Sequence, residues 1–429
     1  MFTSLIFDTM PQISNVGLTM PSSPIRKLMP FANSAKKAGK RVIHLNIGQP
    51  DIETPEVALK ALKEDTRTFV EYSPSEGYDS YRESLSKSYR NSGLDVEAED
   101  VIITTGGSEA LVFGMMTTMD PGDEVVIPEP FYANYLGFAK MAGLKIVPVT
   151  ASIDNGFSLP SVEQFEAVIT LKTKAILICN PGNPTGKVYA PEALDSLAKL
   201  VLKHDLYLLS DEVYREFCYE GAVAKSVLQL KGLEQNAIMI DSVSKRFSMC
   251  GARVGAIVTK NTDLRAAVMK FAMTRLSPPT LGQIASEAAL KAPSSYFENV
   301  REVYLKRRDV LVKGLNDIPG AVCPTPGGAF YAVCKLPIDS SDKFCQWILE
   351  HFDFDGDTVM MAPASGFYST ENAGYNEVTL NSLDISNCTN LIGSFDLSEL
   401  RLRYLDASNC SSLSTLVIRT IQSLLKYFL

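Results

Sequence analysis

The side chains that could do chemistry in this sequence follow directly after short apolar runs. Lys245 comes after the apolar run 237–240, in the string SVSKRFSMCGARVG that also contains Ser242 and Arg253. An amine next to a buried strand end loses solvation, which is costly unless the amine has a chemical task. A surface lysine would fit the same string, so the neighbouring motifs must decide between these two interpretations.

Two more strings place polar groups after apolar runs. SDEVY carries a carboxylate and a phenol close together, at Asp211 and Tyr214, and NPTG begins a rigid turn at Asn183. Taken alone, Asp211 also suits a helix N-cap, and NPTG also suits a simple loop. The NPTG region is not a P-loop, because the GxxxxGK[ST] spacing is absent.

A candidate anion site follows the run 101–104. Gly106, Gly107 and Ser108 open a predicted helix. The free backbone N–H groups and the dipole of a helix N-terminus favour an anion such as phosphate. A glycine pair does not by itself identify the anion.

The elements between these strings determine where the polar groups lie. From about 99 to 241 the sequence alternates β-branched runs with helical stretches, a pattern typical of a mostly parallel sheet with helices on its faces. Five strands are predicted, at 101–104, 124–127, 175–178, 206–209 and 237–240. Ligands of open α/β sheets lie beyond the carboxyl ends of the strands, so the polar strings are expected to converge on one site.

We predict four segments along the chain. Residues 1–50 form an N-terminal arm and part of a smaller domain, and residues 51–290 form the large domain. Residues 291–378 form the rest of the small domain, which begins with a long charged helical segment. Residues 379–429 form a tail of different character.

Composition excludes several classes of function. The chain has 41 basic and 49 acidic residues and a net charge of −8, which argues against nucleic acid as a partner. No run of about 18 apolar residues is present, so we expect no membrane span and a cytoplasmic protein. Eight scattered cysteines without a CxxC pair, three histidines and no GxSxG string argue against a metal site and a hydrolase triad.

Taken together and in order, NPTG, SDEVY and SxSKxxxxxGxRxG resemble the motifs of the class I aminotransferases, pyridoxal-phosphate enzymes of the aspartate aminotransferase family and fold type I. The similarity extends from about residue 13 to 378. It implies an α/β fold in which helices sandwich a mostly parallel, seven-stranded-type sheet in the large domain, with a smaller α/β domain beside it. It also implies transfer of an amino group between an α-amino acid, aspartate-like as a first guess, and a 2-oxo acid.

The resemblance assigns the chemistry to Lys245, Asp211 and Tyr214. Lys245 would form the aldimine with pyridoxal 5′-phosphate and then move the proton between Cα and C4′ as general acid and base. Asp211 would pair with the pyridinium nitrogen and keep it protonated, so that carbanion electrons delocalise into the ring. Tyr214 and Asn183 would hydrogen-bond the cofactor's 3′ oxygen.

The same resemblance implies the remaining contacts. The phosphate would be held by Gly107, Ser108, Ser242 and Arg253. Tyr132 would stack on the pyridine ring. Tyr72 would reach the phosphate of the neighbouring subunit, which implies a homodimer. Gly48 and Asn183 would lie beside the substrate's α-carboxylate.

One position departs from the family pattern. The family's α-carboxylate-binding arginine lies in a strand reading N-x-V-R, and here Asn376-Glu377-Val378 is followed by Thr379. Each hydrogen bond of a lost arginine–carboxylate contact is worth about 1.5–3 kcal/mol, so substrate binding would suffer more than cofactor binding. Two alternatives stay open: a pyridoxal-phosphate β-lyase, and an inactive fusion that acts as an interaction module. Candidates for the substrate side-chain pocket are Arg26, Arg275 and Tyr331.

The tail beyond this departure contains an internal repeat. The string LDISNCTNL from Leu383 recurs as LDASNCSSL from Leu405, 22 positions later. Its spacing fits the L-x-x-L-x-L-x-x-N/C pattern of a leucine-rich repeat. Two repeats are too few for an ordinary solenoid, because each unit needs neighbours to bury its apolar face.

Overall fold

The computed structural model describes residues 11–381. Its strands are β1 Arg41–His44, β2 Val101–Thr104, β3 Glu124–Glu129, β4 Lys145–Thr150, β5 Thr173–Cys179, β6 Tyr207–Asp211, β7 Ala237–Ser242, β8 Gly255–Val258, β9 Tyr331–Lys335, β10 Asp357–Met360, β11 Ala362–Pro363 and β12 Glu377–Asn381. Its helices are α1 Asn15–Thr19, α2 Met29–Lys37, α3 Glu56–Lys63, α4 Asp79–Asn91, α5 Gly106–Thr118, α6 Asn134–Ala142, α7 Val162–Glu166, α8 Pro191–Lys203, α9 Val243–Arg246, α10 Thr262–Arg275, α11 Thr280–Ala289, α12 Ser294–Asn316 and α13 Ser341–His351.

The large sheet has seven strands in the order β2-β8-β7-β6-β5-β3-β4. It is mixed, because β8 runs antiparallel to both of its neighbours while the other neighbouring pairs are parallel. The five strands predicted between 101 and 240 are all present. Since β5, β6 and β7 run in the same direction, their carboxyl ends lie at one edge of the sheet, where the polar strings begin.

Helices cover both faces of this sheet. Successive side chains of a strand point to opposite faces, and β5 accordingly places Ile176 and Ile178 in one core and Ala175 and Leu177 in the other. The helix α5 follows β2 almost directly and buries apolar residues along its whole length. The sheet is therefore fixed from both sides, and its strand ends form a rigid platform.

A smaller core combines the two ends of the described chain. It gathers buried residues from 28–45 and from 311–380. Here β1 pairs with β10 in parallel, and β12 lies between β11 and β9 in an antiparallel sheet. The predicted N-terminal arm thus contributes α2 and β1 to a packed core.

The last described strand corrects the predicted start of the tail. Thr379, Leu380 and Asn381 are buried in β12 and continue its pairing with β9. Backbone pairing therefore places these three residues in the sheet. The repeats predicted from Leu383 and Leu405 lie outside the described residues. Among the helices between 11 and 381, none is both long and apolar enough to cross a bilayer.

Candidate active site

A cavity of about 820 Å³ opens between the strand ends of the large sheet and the small antiparallel sheet. Most of the predicted site residues line it: Gly48, Gly107, Ser108, Tyr132, Asn183, Asp211, Tyr214, Ser242, Lys245 and Arg253. Tyr331, Arg26 and Thr379 line it as well. The strings that are far apart in sequence are thus brought to one place.

Asp211 is a buried carboxylate at the end of β6. It accepts a hydrogen bond of 2.8 Å from the Tyr135 hydroxyl and a longer one, of 3.4 Å, from the Val213 N–H. Within residues 11–381 no lysine or arginine forms an ion pair with it. Burial consequently raises the pKa of Asp211 to about 6. A cationic group bound next to Asp211 would relieve this desolvation.

Tyr214 lies in a hydrogen-bonded row of polar groups. Its hydroxyl is 2.9 Å from the Tyr331 hydroxyl and accepts a 3.2 Å hydrogen bond from the Asn183 amide. Burial raises the pKa of Tyr214 well above its usual value, so the phenol stays protonated and can donate. The row reaches Gly48, where a Cβ would come 1.9 Å from the Tyr331 hydroxyl, so only glycine leaves room for that side chain.

Lys245 lies in the short helix α9, whose N-cap is the side chain of Ser242. Its Nζ donates to the Gly48 carbonyl oxygen at 2.5 Å, and the Cys250 sulfur is 3.9 Å away. Burial lowers the pKa of Lys245. A larger fraction of the amine is therefore neutral near pH 7, which is the form that attacks carbonyl carbons and accepts protons.

A buried ionic network stabilises α9. The Asp241 carboxylate accepts from Arg246 at 2.6 Å and from the Tyr89 hydroxyl at 2.7 Å, and it also accepts from the Ser242 N–H at 2.8 Å. Burial raises the pKa of Asp241, but the adjacent arginines outweigh it and lower the pKa overall. The network fixes the residues on both sides of Lys245.

The start of α5 forms a cradle of backbone donors. Gly255 packs so closely that a Cβ there would come 2.6 Å from the Gly107 nitrogen, and the Arg253 guanidinium lies against Gly106. Gly107 and Ser108 lie in the first turn, where N–H groups have no helical partner. Backbone donors, a hydroxyl at Ser242 and one guanidinium are the donor set that suits a phosphate.

Two predicted aromatic residues differ in where they lie. Tyr132 lines the cavity, with its ring edge-to-face against that of Tyr135 at a centroid distance of 5.4 Å. Burial raises its pKa to about 12. Tyr72 is 76% exposed and does not line the cavity of this subunit. Arg275, a candidate for the substrate pocket, also lies elsewhere and instead binds Glu109 and the Ser75 and Ile103 carbonyl oxygens.

Sequence reasoning missed three groups at this site. Tyr135 holds Asp211, and its only sequence signal is its position one turn after Tyr132. The amide nitrogen of Asn46 and the amide oxygen of Asn381 are buried without a hydrogen-bond partner in the described chain. Both asparagines line the cavity.

Comparison with known proteins identifies the class. Residues 40–362 match the family described as aminotransferase class I and II. The aspartate aminotransferase of Bacillus subtilis is 33% identical over 364 residues, which cover 82% of this chain and 91% of that protein. A mutant of the Thermus thermophilus aspartate aminotransferase has a similar structure, with a TM-score of 0.80 and 30% identity over 87% of this chain and 96% of that one. The alanine aminotransferase of Pyrococcus furiosus gives a TM-score of 0.81 at 29% identity, over 88% of this chain and 97% of that one.

The fold is that of a pyridoxal-phosphate-dependent transferase. The chain belongs to the class I and II aminotransferase family, and it is an aminotransferase. The residues present fit the cofactor on two observations. Asp211 is a buried carboxylate that lacks a cationic partner in the described chain, as a pyridinium nitrogen requires, and the α5 cradle offers the donors that a phosphate requires.

Proposed function

We propose that this enzyme moves the amino group of an aspartate-like α-amino acid to a 2-oxo acid, with Lys245 as the residue that attaches the cofactor and transfers the proton. The observation that carries the proposal is the setting of Lys245. Its amine has a lowered pKa, and Lys245 lines the same cavity as the buried Asp211 carboxylate and the donors at the start of α5. Nucleophile, acid–base group and cofactor contacts thus share one volume.

Each residue of the cofactor half has a task that follows from its surroundings. Pyridoxal phosphate, when bound, supplies an electron sink for the substrate's Cα carbanion. Asp211 would keep the ring nitrogen protonated, and its own raised pKa would fall as it gained a cationic partner. Tyr214 and Asn183 would bond the 3′ oxygen, since they already share a hydrogen bond with each other. Lys245 would accept the Cα proton and return it at C4′ of the cofactor, two bonds away.

The remaining contacts complete the binding of the cofactor. Gly107, Ser108, Ser242 and Arg253 would hold the phosphate. The Tyr132 ring would cover one face of the pyridine. Gly48 would lie beside the substrate carboxylate, because its carbonyl oxygen is already within 2.5 Å of the Lys245 amine.

An aspartate-like donor is the finer part of the proposal. Its support is the family and the names of similar proteins, among them aspartate aminotransferases from several bacteria. Thr379, which stands in place of the family's α-carboxylate-binding arginine, lines the cavity on the small-sheet side. We therefore propose that turnover, and not cofactor binding, is the property that this replacement affects.

We also propose the four-segment division given above, with its last boundary moved beyond Asn381, and a homodimer. An exposed apolar surface supports the dimer: Phe69, Val70 and Tyr72 are each more than 60% exposed, and Met273 and Leu276 are more than half exposed. The two stretches are joined, because the Ser75 hydroxyl donates to the Leu276 carbonyl oxygen at 2.6 Å. An apolar surface of this kind is typical of an interface.

The central experiment is a spectroscopic titration of the full-length protein with pyridoxal phosphate, followed by L-aspartate. We expect a visible band from the lysine-bound cofactor, and its replacement by the band of the amine form when the donor is added. Product analysis with a 2-oxo acid present should find a new amino acid and the donor's oxo acid in equal amounts. Pyruvate and ammonia would instead indicate the β-lyase, and a protein without any band would indicate the interaction module.

The dimer has its own test. Two separate variants are made. Tyr72→Ala removes the group that would reach the phosphate in the partner's site, and Lys245→Ala removes the amine from a chain's own site. Each variant alone should be nearly inactive, whereas hybrids formed on mixing contain one intact site, so about a quarter of the wild-type activity should return. No recovery in a mixture shown to contain hybrids would place Tyr72 outside the partner's site. A monomeric mass in solution would contradict the dimer directly.

A further inference from the structure

The cationic side chains that line the cavity differ in whether they have hydrogen-bond or ion-pair partners. Among residues 11–381, three cationic side chains line it: Arg26, Lys245 and Arg253. Lys245 bonds the Gly48 carbonyl oxygen, and Arg253 donates to the Cys250 carbonyl oxygen at 3.0 Å. The Arg26 guanidinium has neither an ion pair nor a hydrogen bond with any residue of that range. One positive charge in the cavity is thus available for an anion.

Packing of the adjacent residues determines where Arg26 stands. Pro24 lies against Gly366, where an added Cβ would come 2.1 Å from the proline ring. Ile25 packs on a small core that contains Ala362 and Phe367. Residues 24–25 therefore pack against the 362–367 segment, and Arg26 lines the cavity beside that segment.

This side of the cavity is the wall that contains Thr379. Ala362 is paired with Thr379 in the sheet, and the Thr379 hydroxyl donates to the Ala362 carbonyl oxygen at 3.3 Å. Arg26 also acts on Tyr132, whose pKa its positive charge lowers against the larger effect of burial. Arg26 thus faces the region between Tyr132 and the small antiparallel sheet.

Hydrogen bonds connect the same wall to the segment that contacts the Lys245 amine. The Asn381 N–H donates to the Leu45 carbonyl oxygen at 2.7 Å, and its amide donates to that of Ile47. The next residue, Gly48, accepts from Lys245 at 2.5 Å. An anion held along this wall therefore lies next to the atom that must reach the substrate's Cα. A carboxylate attached to Cα satisfies this geometry, because only one bond separates the two carbons.

We propose that Arg26 binds the α-carboxylate that amino-acid and 2-oxo-acid substrates share, and so supplies from the N-terminal segment the positive charge that position 379 lacks. The inference rests on the proposed aminotransferase function. A guanidinium offers a planar pair of donors that matches a carboxylate, and such charge-assisted contacts are the strong class of hydrogen bonds. Arg26 stands at the mouth of the cavity and is exposed, so it can meet the substrate as it enters.

The inference predicts a loss that is the same for every donor. Arg26→Met should lower kcat/KM for L-aspartate and for L-alanine about equally, by about 10- to 100-fold, because both carry an α-carboxylate. Arg26→Lys keeps the charge but not the planar pair of donors, and it should show a smaller loss of kcat/KM. Lys27→Met is the matched control, since it removes a charge from the same turn but pairs with Asp342 outside the cavity. Its kcat/KM should stay within about twofold of wild type.

The readout separates failure of this inference from failure of the proposed function. Donor-dependent conversion of the visible band is measured in single turnovers, and the cofactor dissociation constant is measured alongside and should not change. If the wild type binds the cofactor but reacts with no donor, the proposed function fails. If the wild type reacts and Arg26→Met reacts equally well, this inference is overturned. A loss confined to aspartate would overturn it too, because Arg26 would then serve the side-chain carboxylate. Should Arg26→Met not fold, the comparison of Arg26→Lys with Lys27→Met carries the same decision.

Discussion

The two walls of the active-site cavity are built differently. On the strand-end wall, Asp211, Tyr214 and Lys245 each hold a defined hydrogen bond. On the opposite wall, Thr379 stands where the family pattern has an arginine, and the Asn46 amide nitrogen and the Asn381 amide oxygen are buried without partners in the described chain. The first wall is preorganised for one ligand, and the second is not.

This difference explains how the family can keep its cofactor chemistry while its substrates vary. Under the proposed function, the groups that would face the cofactor are held by the buried core of the large sheet, so every reaction at the site would share their positions. The groups that would face the substrate lie on the small sheet and on the N-terminal segment, where one substitution would change recognition without disturbing the large sheet. Variants on either wall test this difference.

The largest effect is expected on the strand-end wall. Lys245→Ala removes the only amine in the cavity of the described chain, and should lower turnover by at least about 10³-fold while the visible band of the lysine-bound cofactor disappears. Single-turnover spectroscopy measures both. Lys199→Ala, an exposed lysine on α8, is the control and should behave as wild type. A band that survives Lys245→Ala would mean that another amine attaches the cofactor.

The network behind this wall should matter for stability. Asp241→Asn leaves the buried Arg246 guanidinium without its anion, and breaking a buried pair costs about 3–5 kcal/mol. The free energy of unfolding in urea measures this loss. Asp95→Asn breaks an exposed pair with Lys260 and should cost far less, because solvent screens exposed ion pairs. Equal losses in the two variants would show that the buried network contributes no more to the free energy of unfolding than an exposed ion pair does.

Asp211 should make the cofactor-free protein less stable as pH rises. Its pKa is about 6 in the folded chain and near 3.8 when exposed, so the folded state binds more protons between these values. Stability therefore falls as pH increases from about 4 to 6, by up to about 3 kcal/mol, and then levels off. Asp211→Asn should remove this decline, whereas Asp120→Asn on the surface should keep it. Urea unfolding at several pH values checks the slope, and an unchanged slope in Asp211→Asn would contradict the assignment.

The sequence predicted the strand-end wall well because its groups lie in contiguous strings. Lys245 and Ser242 are three residues apart, and Asp211 ends an apolar run, so local spacing was enough to place them at strand ends. Contacts between elements that are distant in sequence could not be predicted in this way. The Tyr135–Asp211 hydrogen bond joins residues 76 positions apart, and that from Asn381 to Ile47 joins residues 334 positions apart. Such contacts arise from packing between elements, and no local pattern records them.

The end of the small sheet shows the same limit. The family pattern stops at Val378, and a tail of different character was expected from Thr379. Pairing with β9 nevertheless continues to Asn381. Backbone hydrogen bonds do not depend on the identity of the side chain, so a change of motif is not a change of strand. Arg26 was a candidate for the substrate pocket from the sequence, but its position beside the 362–367 segment follows only from the packing of Pro24 and Ile25.

The difference between the two walls is tested most directly by moving the positive charge from one position to the other. In the Arg26→Met background, Thr379→Arg places a guanidinium on the wall where the family pattern has one. We predict that kcat/KM for L-aspartate rises about tenfold or more over Arg26→Met alone, with the cofactor dissociation constant unchanged. No gain in kcat/KM, or a change in cofactor affinity of the same size, would contradict the separation of a cofactor wall from a substrate wall.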